Sequence, residues 1–193
     1  MNDVDKRVKI AIIGLGKMGL LHASLLSALP NVKLVALCDK SSLIRRVCKR
    51  LFRDVQMTDD VEEFAGLGLD AVYITTPIPS HFSIAKIVCS KGIAHNLFVE
   101  KTLAAKYDDA KKMCALAKGS GGVNMVGYMK RFAVTFSKAK ELLDEGVLGD
   151  LISFDAYAYS SDFVDVEEGS VSASRGGVLG DLGSHLLRRF MEK

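Results

Sequence analysis

The sequence has no tryptophan, only three prolines, only four cysteines, and a formal net charge of only +3 over 193 residues. The cysteines (Cys38, Cys48, Cys89 and Cys114) form no C-x-x-C pair and have no histidine at metal-ligand spacing. This argues against a zinc site and against a disulfide framework. Reduced thiols fit a cytoplasmic protein, and no metal is expected. The weak net charge argues against a nucleic-acid surface. The one tight basic cluster, Arg45, Arg46, Lys49, Arg50 and Arg53, falls at helical spacing and reads as a solvated helix face. Residues 8–29 make the longest apolar stretch, but Lys9, Lys17 and His22 interrupt it, so neither a signal segment nor a membrane span is expected. Internal repeats and low-complexity tracts are absent.

What is present is ordinary globular composition, 49% hydrophobic and 25% charged. Short aliphatic runs at residues 8–13, 32–38, 71–75, 96–99 and 123–126 are almost continuously apolar, as strands covered on both faces should be. Helical patterns lie between them. The first has Met18, Leu21, Leu25 and Leu29 as its apolar face, with Pro30 helping to end it. The second has Leu43, Val47 and Leu51, and a third runs from near Ser80 to a cap at Gly92. Strand and helix in alternation predict βαβ units around a parallel sheet. After residue 126 the texture changes. A helix with Phe132, Phe136, Ala139 and Leu143 stops at Gly146, and residues 152–160 alternate like a half-exposed strand of another sheet. The expected organisation is a nucleotide-binding domain at residues 1–126 and the start of an α+β domain at 127–193.

The first strand runs directly into Gly14-Leu15-Gly16-Lys17-Met18-Gly19. A lone G-x-G-x-x-G is a weak signal, but here it follows a strand and opens a helix, as a dinucleotide-binding turn requires. Gly14 serves the tight turn, Gly16 a close backbone approach to the pyrophosphate, and Gly19 the packing of helix on strand. Lys17 and Met18 then lie at the helix N-terminus, where free amides and the helix dipole favour an anion. Asp39 ends the second strand, 39 − 19 = 20 residues beyond the last glycine, where an acid holds the ribose 2′-hydroxyl. Together these predict a doubly wound α/β domain of the Rossmann type that binds NAD. Lys40, Ser41 and Arg45 nearby leave NADP open.

Three further segments reach toward the carboxyl edge of such a sheet, where ligands of open α/β folds bind. The first brings Thr76, Pro77 and His81, with capping of the following helix as the plainer role for His81. The second brings Glu100 and Lys101, for which a solvated ion pair is the plainer reading. The third puts Asp181 and His185 four residues apart, on one face if helical. Tyr128 and Arg131 are candidates for a polar substrate pocket, though a structural hydrogen bond accounts for them equally well. His22 is expected to pack in the first helix.

The sequence resembles the glucose-fructose oxidoreductase / inositol dehydrogenase / rhizopine catabolism (Gfo/Idh/MocA) family over nearly its whole length. The resemblance is carried by G-L-G-K-M-G with His22, D-A-V-Y-I-T-T-P-I-P-S-H at residues 70–81, V-E-K-T at 99–102, G-Y-M-K-R-F at 127–132 and G-G-V-L-G-D-L-G-S-H at 176–185. It implies hydride transfer between a nicotinamide cofactor and a hydroxyl or keto group of a sugar, polyol or sugar nucleotide, with Lys101, Asp181 and His185 as the catalytic group. His185 would accept the hydroxyl proton, Asp181 would fix its tautomer, and Lys101 would orient the hydroxyl and steady developing charge, or itself act as acid or base. Lys101, Tyr128, Arg131 and His185 would face the substrate; Gly14, Gly16, Lys17, Met18, Gly19, Asp39, Thr76, Pro77, His81 and Glu100 would face the cofactor. Partners are then a small substrate and, if the second-domain sheet is complete, further copies of the chain associating through it.

The pattern is broken in places. Thr102 replaces the proline usual after Glu-Lys, and Ile78 replaces the asparagine often seen after Thr-Pro. In the family the helix bearing His185 leads into a many-stranded open sheet, whereas this sequence stops at Lys193. The expectation is that about the first 125 residues fold on their own and that the remainder is poorly ordered unless it pairs with another chain. A competing expectation is a non-catalytic dinucleotide-binding or regulatory module, or an inactive fragment of such an enzyme.

Overall fold

A computed structural model of the chain describes residues 7–150 together with Ile152, Ser153, Asp155 and Tyr157. The chain divides into two units, Met1–Val126 and Gly127–Lys193. The first is built on six parallel strands: β1 (Val8–Ile13), β2 (Val32–Cys38), β3 (Gln56–Thr58), β4 (Ala71–Ile74), β5 (Asn96–Val99) and β6 (Asn124–Val126). They lie in the order β3-β2-β1-β4-β5-β6, the doubly wound arrangement whose strand order reverses between β1 and β4. The expected Rossmann-type sheet is therefore present. The sequence reading overlooked β3, which has only three residues and no apolar run to announce it.

Each face of the sheet buries a separate core. On one side, Ile10, Ile12, Leu34 and Leu37 pack beneath α1 (Lys17–Ser27) and α2 (Ser42–Leu51), which contribute Ala23, Leu26 and Cys48. On the other, Ala11, Ile13, Val72, Ile74, Leu97 and Val99 meet Ala85 and Val88 of α3 (His81–Ser90), Met113 of α4 (Tyr107–Ser120), and Phe64 from the 3-10 turn Val61–Phe64. Successive strand residues thus serve opposite cores, which is why these strands read as apolar without alternation. The sequence reading also overlooked α4, whose only buried residue is Met113.

Two helix faces need correction. The stripes expected to be buried are exposed: Leu25 at 59% and Leu51 at 68%, with Leu21, Leu29, Leu43 and Val47 alongside. In α1 the sheet takes Gly19, Ala23 and Leu26 instead. In α2 it takes Cys48, with Ile44 and Phe52 packed around it. Helix α1 starts inside the glycine turn and must approach the strands closely there. Only the small residues Gly19 and Ala23 allow this in its first turns, with Leu26 buried further along, so the stripe with less apolar bulk wins.

In the second unit, the 3-10 turn Met129–Phe132 precedes α5 (Val134–Asp144). Phe132, expected within the helix, lies in the turn and is exposed. Gly146 follows at φ +70°, a left-handed conformation suited to ending a helix. Of the expected strand at 152–160, Ile152, Ser153, Asp155 and Tyr157 are in no strand, and the remainder lies outside the described residues. No helix among the described residues is long and apolar enough to cross a membrane, and no cluster of three or more His, Cys, Asp or Glu side chains among them is placed to hold a metal ion.

Candidate functional site

Strand register builds the site. Thr58 lies opposite Cys38, Cys38 opposite Ile13, Ile13 opposite Ile74, and Ile74 opposite Val99. The residues one step further on, Asp59, Asp39, Gly14, Thr75 and Glu100, therefore leave the sheet along a single edge. Four of them are tied to the neighbouring strand through the backbone: the amides of Gly14, Asp39, Thr75 and Glu100 donate to the carbonyls of Cys38, Thr58, Ile13 and Ile74, at 2.8 to 3.1 Å. Edge and switch point together form the crevice in which doubly wound folds bind their ligands.

The three glycines of the turn have different physical reasons. Gly14 adopts φ +93°, open to glycine at no steric cost. A Cβ on Gly19 would sit 1.8 Å from the Gly14 carbonyl oxygen, so the helix could not start where it does. The buried Thr75 hydroxyl secures this packing, lying 2.7 Å from the Gly14 carbonyl oxygen and 3.0 Å from that of Ile13. Gly16 is unlike the others. Its φ of −68° and ψ of −169° suit any residue, and a Cβ there would meet nothing within 4 Å. The fold does not require glycine at this position, whereas a ligand pressed against the backbone would. Gly16 is also the N-cap of α1, whose first turn no side chain caps, so amides remain for an anion. Lys17 is exposed and Met18 partly buried beside them.

Asp39 is fixed from two sides. One carboxylate oxygen accepts the Leu15 amide at 2.7 Å and the other the Ser41 amide at 2.8 Å. Each oxygen retains a second lone pair, enough for a ribose hydroxyl. The glycine turn and the end of β2 are thereby coupled through one side chain. The sequence spacing pointed to Asp39 but not to its bond with Leu15, because nothing local marks an amide 24 residues away. Behind Asp39, burial pushes the Cys38 thiol up to about 11, so it stays protonated and inert at neutral pH.

Glu100 is 8% exposed. One of its oxygens lies 2.8 Å from His22 Nε2, and the other accepts the amide of Lys101 at 3.1 Å. The His22 ring stands edge-on to Phe98 at 4.9 Å, and Phe98 stacks on Tyr73 at 4.6 Å. His22 was expected only to pack in α1; it reaches across to the end of β5 instead. Lys101 is partly buried, and its peptide to Thr102 is cis.

His81, at the start of α3, is completely buried. Its Nε2 lies 2.8 Å from the Thr76 carbonyl oxygen, and its Nδ1 lies 3.1 and 3.2 Å from those of Thr102 and Leu103. The ring joins the loop after β4 to the loop after Lys101, and no nitrogen faces the crevice. Thr76 accepts from the Ser80 hydroxyl at 2.7 Å, which also lies 2.7 Å from the Pro77 carbonyl oxygen; this holds the 76–80 turn. Tyr128 immediately precedes the 3-10 turn of the second unit and Arg131 lies within it, the Arg131 amide donating to the Tyr128 carbonyl. Asp181 and His185 lie outside the described residues.

Known proteins match this arrangement. The profile of the family described as "Oxidoreductase family, NAD-binding Rossmann fold" (GFO_IDH_MocA) matches residues 8–128. The scyllo-inositol 2-dehydrogenase (NAD(+)) of Bacillus subtilis is 30% identical over 156 residues, 80% of this chain and 45% of that protein. The myo-inositol 2-dehydrogenase of Lactobacillus plantarum is 29% identical with a TM-score of 0.68, covering 75% of this chain and 43% of that one. The scyllo-inositol dehydrogenase of Lactobacillus casei, solved with bound NAD(H) and scyllo-inositol, is 25% identical with a TM-score of 0.68, over 75% of this chain and 43% of that one. The chain spans less than half the length of these relatives. A glycine turn that leaves room only at Gly16, an acid ending the adjacent strand and a family profile covering the sheet converge: the chain belongs to the Gfo/Idh/MocA family of oxidoreductases, with its NAD-binding Rossmann fold.

Proposed function

We propose that the protein is an NAD-dependent dehydrogenase acting on a secondary hydroxyl of a polyol or sugar. Gly16 carries this reading, since its lack of a side chain serves no contact within the fold. The Gly16 backbone and the open first turn of α1 receive the pyrophosphate, and Asp39 accepts from the adenosine ribose hydroxyl. Bound there, NAD supplies the hydride acceptor. The chain's own residues manage the proton and the geometry. Glu100, held by His22, anchors the backbone of Lys101 at the edge of the sheet, and His81 anchors the residues that follow. Lys101 then orients the substrate hydroxyl, and His185, steadied by Asp181, takes its proton as the carbon loses hydride. The inositol dehydrogenases among the relatives make cyclic polyols the first substrates to try.

The test is a titration of the full chain with NADH, followed by cofactor fluorescence, and then an assay of NAD reduction with scyllo- and myo-inositol. Saturable binding lost in Gly16→Val and Asp39→Ala, with turnover lost in Lys101→Ala, is the expected result. Binding without turnover on any polyol would favour a non-catalytic dinucleotide-binding module. Absence of binding by a folded chain would overturn the reading.

A further inference from the structure

Three groups beside Asp39 stand where a 2′-phosphate would be sheltered: Lys40, Ser41 and Arg45. Two of them already have partners in the fold, Ser41 as an acceptor and Arg45 through its donors. The Ser41 hydroxyl caps α2, accepting from the Ile44 amide at 3.4 Å. Arg45 reaches back from the first turns of α2 over the β2–α2 connection. Its Nη1 donates to the carbonyl oxygens of Asp39 at 2.6 Å and Lys40 at 3.0 Å, and its Nη2 pairs with Asp59 at 2.8 Å. Both terminal nitrogens of the guanidinium are therefore committed to oxygens of the chain itself. Lys40 is exposed at the surface.

Asp59 has this reach because of the sheet. It follows Thr58, the last residue of β3, in register with Cys38 at the end of β2. Asp59 and Asp39 thus leave adjacent strands at the same level, and Asp60 adds a third carboxylate. The Cys38 thiol, buried beneath them, feels the charge of all three as well as that of Lys40. A ribose hydroxyl brings a donor to Asp39 and suits this surface. A 2′-phosphate brings only negative charge, and the arginine that would neutralise it is already held by a carboxylate.

We propose that Asp59 is a specificity-determining residue: by holding Arg45 it withholds the counter-ion a 2′-phosphate needs, so the choice of NAD over NADP rests on Asp39 and Asp59 together. This builds on the reading of the glycine turn as the dinucleotide site. It also explains an arginine six residues beyond Asp39, a position that without Asp59 would invite NADP.

The experiment measures dissociation constants of NADH and NADPH for the full chain by cofactor fluorescence. The variants are Asp59→Asn, Asp39→Ser, the double variant, and the double variant with Arg45→Gln. Asp59→Asn is expected to shift the NADPH-to-NADH affinity ratio toward NADPH by a few-fold. In the Asp39→Ser background the same change is expected to shift it by about tenfold, the scale of one charge-assisted hydrogen bond. Arg45→Gln should remove that gain. The Asp59 side chain is 55% exposed, so Asp59→Asn should fold, and Asp59→Ala with a thermal melt provides the control. A ratio unmoved by both Asp59 variants in both backgrounds would overturn the proposal, as would a gain that survives Arg45→Gln. A folded wild-type chain that binds neither cofactor would instead defeat the dinucleotide reading itself.

Discussion

His22 on α1 and Glu100 at the end of β5 are 78 residues apart in sequence and lie 2.8 Å apart in the folded chain. The contact links the helix that begins at the glycine turn to the residue preceding Lys101. It is a shielded pair, with side chains 19% and 11% exposed, so neither partner is readily replaced by water. His22→Ala strands a buried carboxylate and is expected to cost about 1–3 kcal/mol of stability. Because Glu100 also holds the Lys101 amide, turnover should fall more than NADH affinity does. Chemical denaturation together with a split of kcat from NADH binding checks this. His22→Gln, which keeps a donor, should recover part of the loss.

Gly16 and Gly19 should respond to alanine in opposite ways. Gly19→Ala drives a methyl group into the Gly14 carbonyl and is expected to cost about 3 kcal/mol or more, at the upper end for overpacking. Gly16→Ala meets no protein atom within 4 Å and should leave stability within about 0.5 kcal/mol while weakening NADH by about tenfold or more. Thermal melts and NADH titrations on both variants separate a packing glycine from a ligand glycine.

His81→Phe keeps the bulk of a buried ring but removes the ring nitrogens that lie against the carbonyl oxygens of Thr76, Thr102 and Leu103, and with them the N–H that bonds there. A loss of about 2–4 kcal/mol is expected, the scale of one or two buried acceptors left unsatisfied. The damage should be local as well as global. Amide hydrogen exchange in the 100–104 loop should accelerate more than exchange in β1.

Alkaline stability should report on Cys38. Burial raises its thiol from 9.0 to about 11 in the folded chain. A group whose folded value is raised contributes stability that is fully present below its unfolded value and is lost as pH climbs through the folded one. The window is therefore pH 9 to 11, and the loss is on the order of 2–3 kcal/mol. Melts of wild type and Cys38→Ala across that range should converge as pH rises. At neutral pH, thiol reagents should label the exposed Cys114 well before the buried Cys38 and Cys48.

Much of this architecture is local and was legible in the sequence. A strand buried on both faces must be apolar at consecutive positions, and a turn approached by a ligand and packed against a strand must be glycine at set intervals. Five of the six strands, the turn Gly14–Gly19 and the acid Asp39 follow from such constraints. β3 escaped because three residues at a sheet edge bury too little to leave a pattern, and α4 because its single buried residue, Met113, leaves no stripe.

Where a side chain ends up once strands take their order is not a local property. α1 offers a leucine stripe and a glycine–alanine stripe of equal period; only the closeness of its approach to the sheet selects the second. Likewise, the pairing of His22 with Glu100, the reach of His81 to Thr76 and Thr102, and the hold of Asp59 on Arg45 exist because β3, β2, β1, β4 and β5 end in register along one edge. The sequence by itself determined the elements and the nucleotide turn, through backbone conformation and burial period. The tertiary structure alone decided which buried groups support Lys101 and which carboxylate holds Arg45, because those contacts join segments that only the order of the strands brings together.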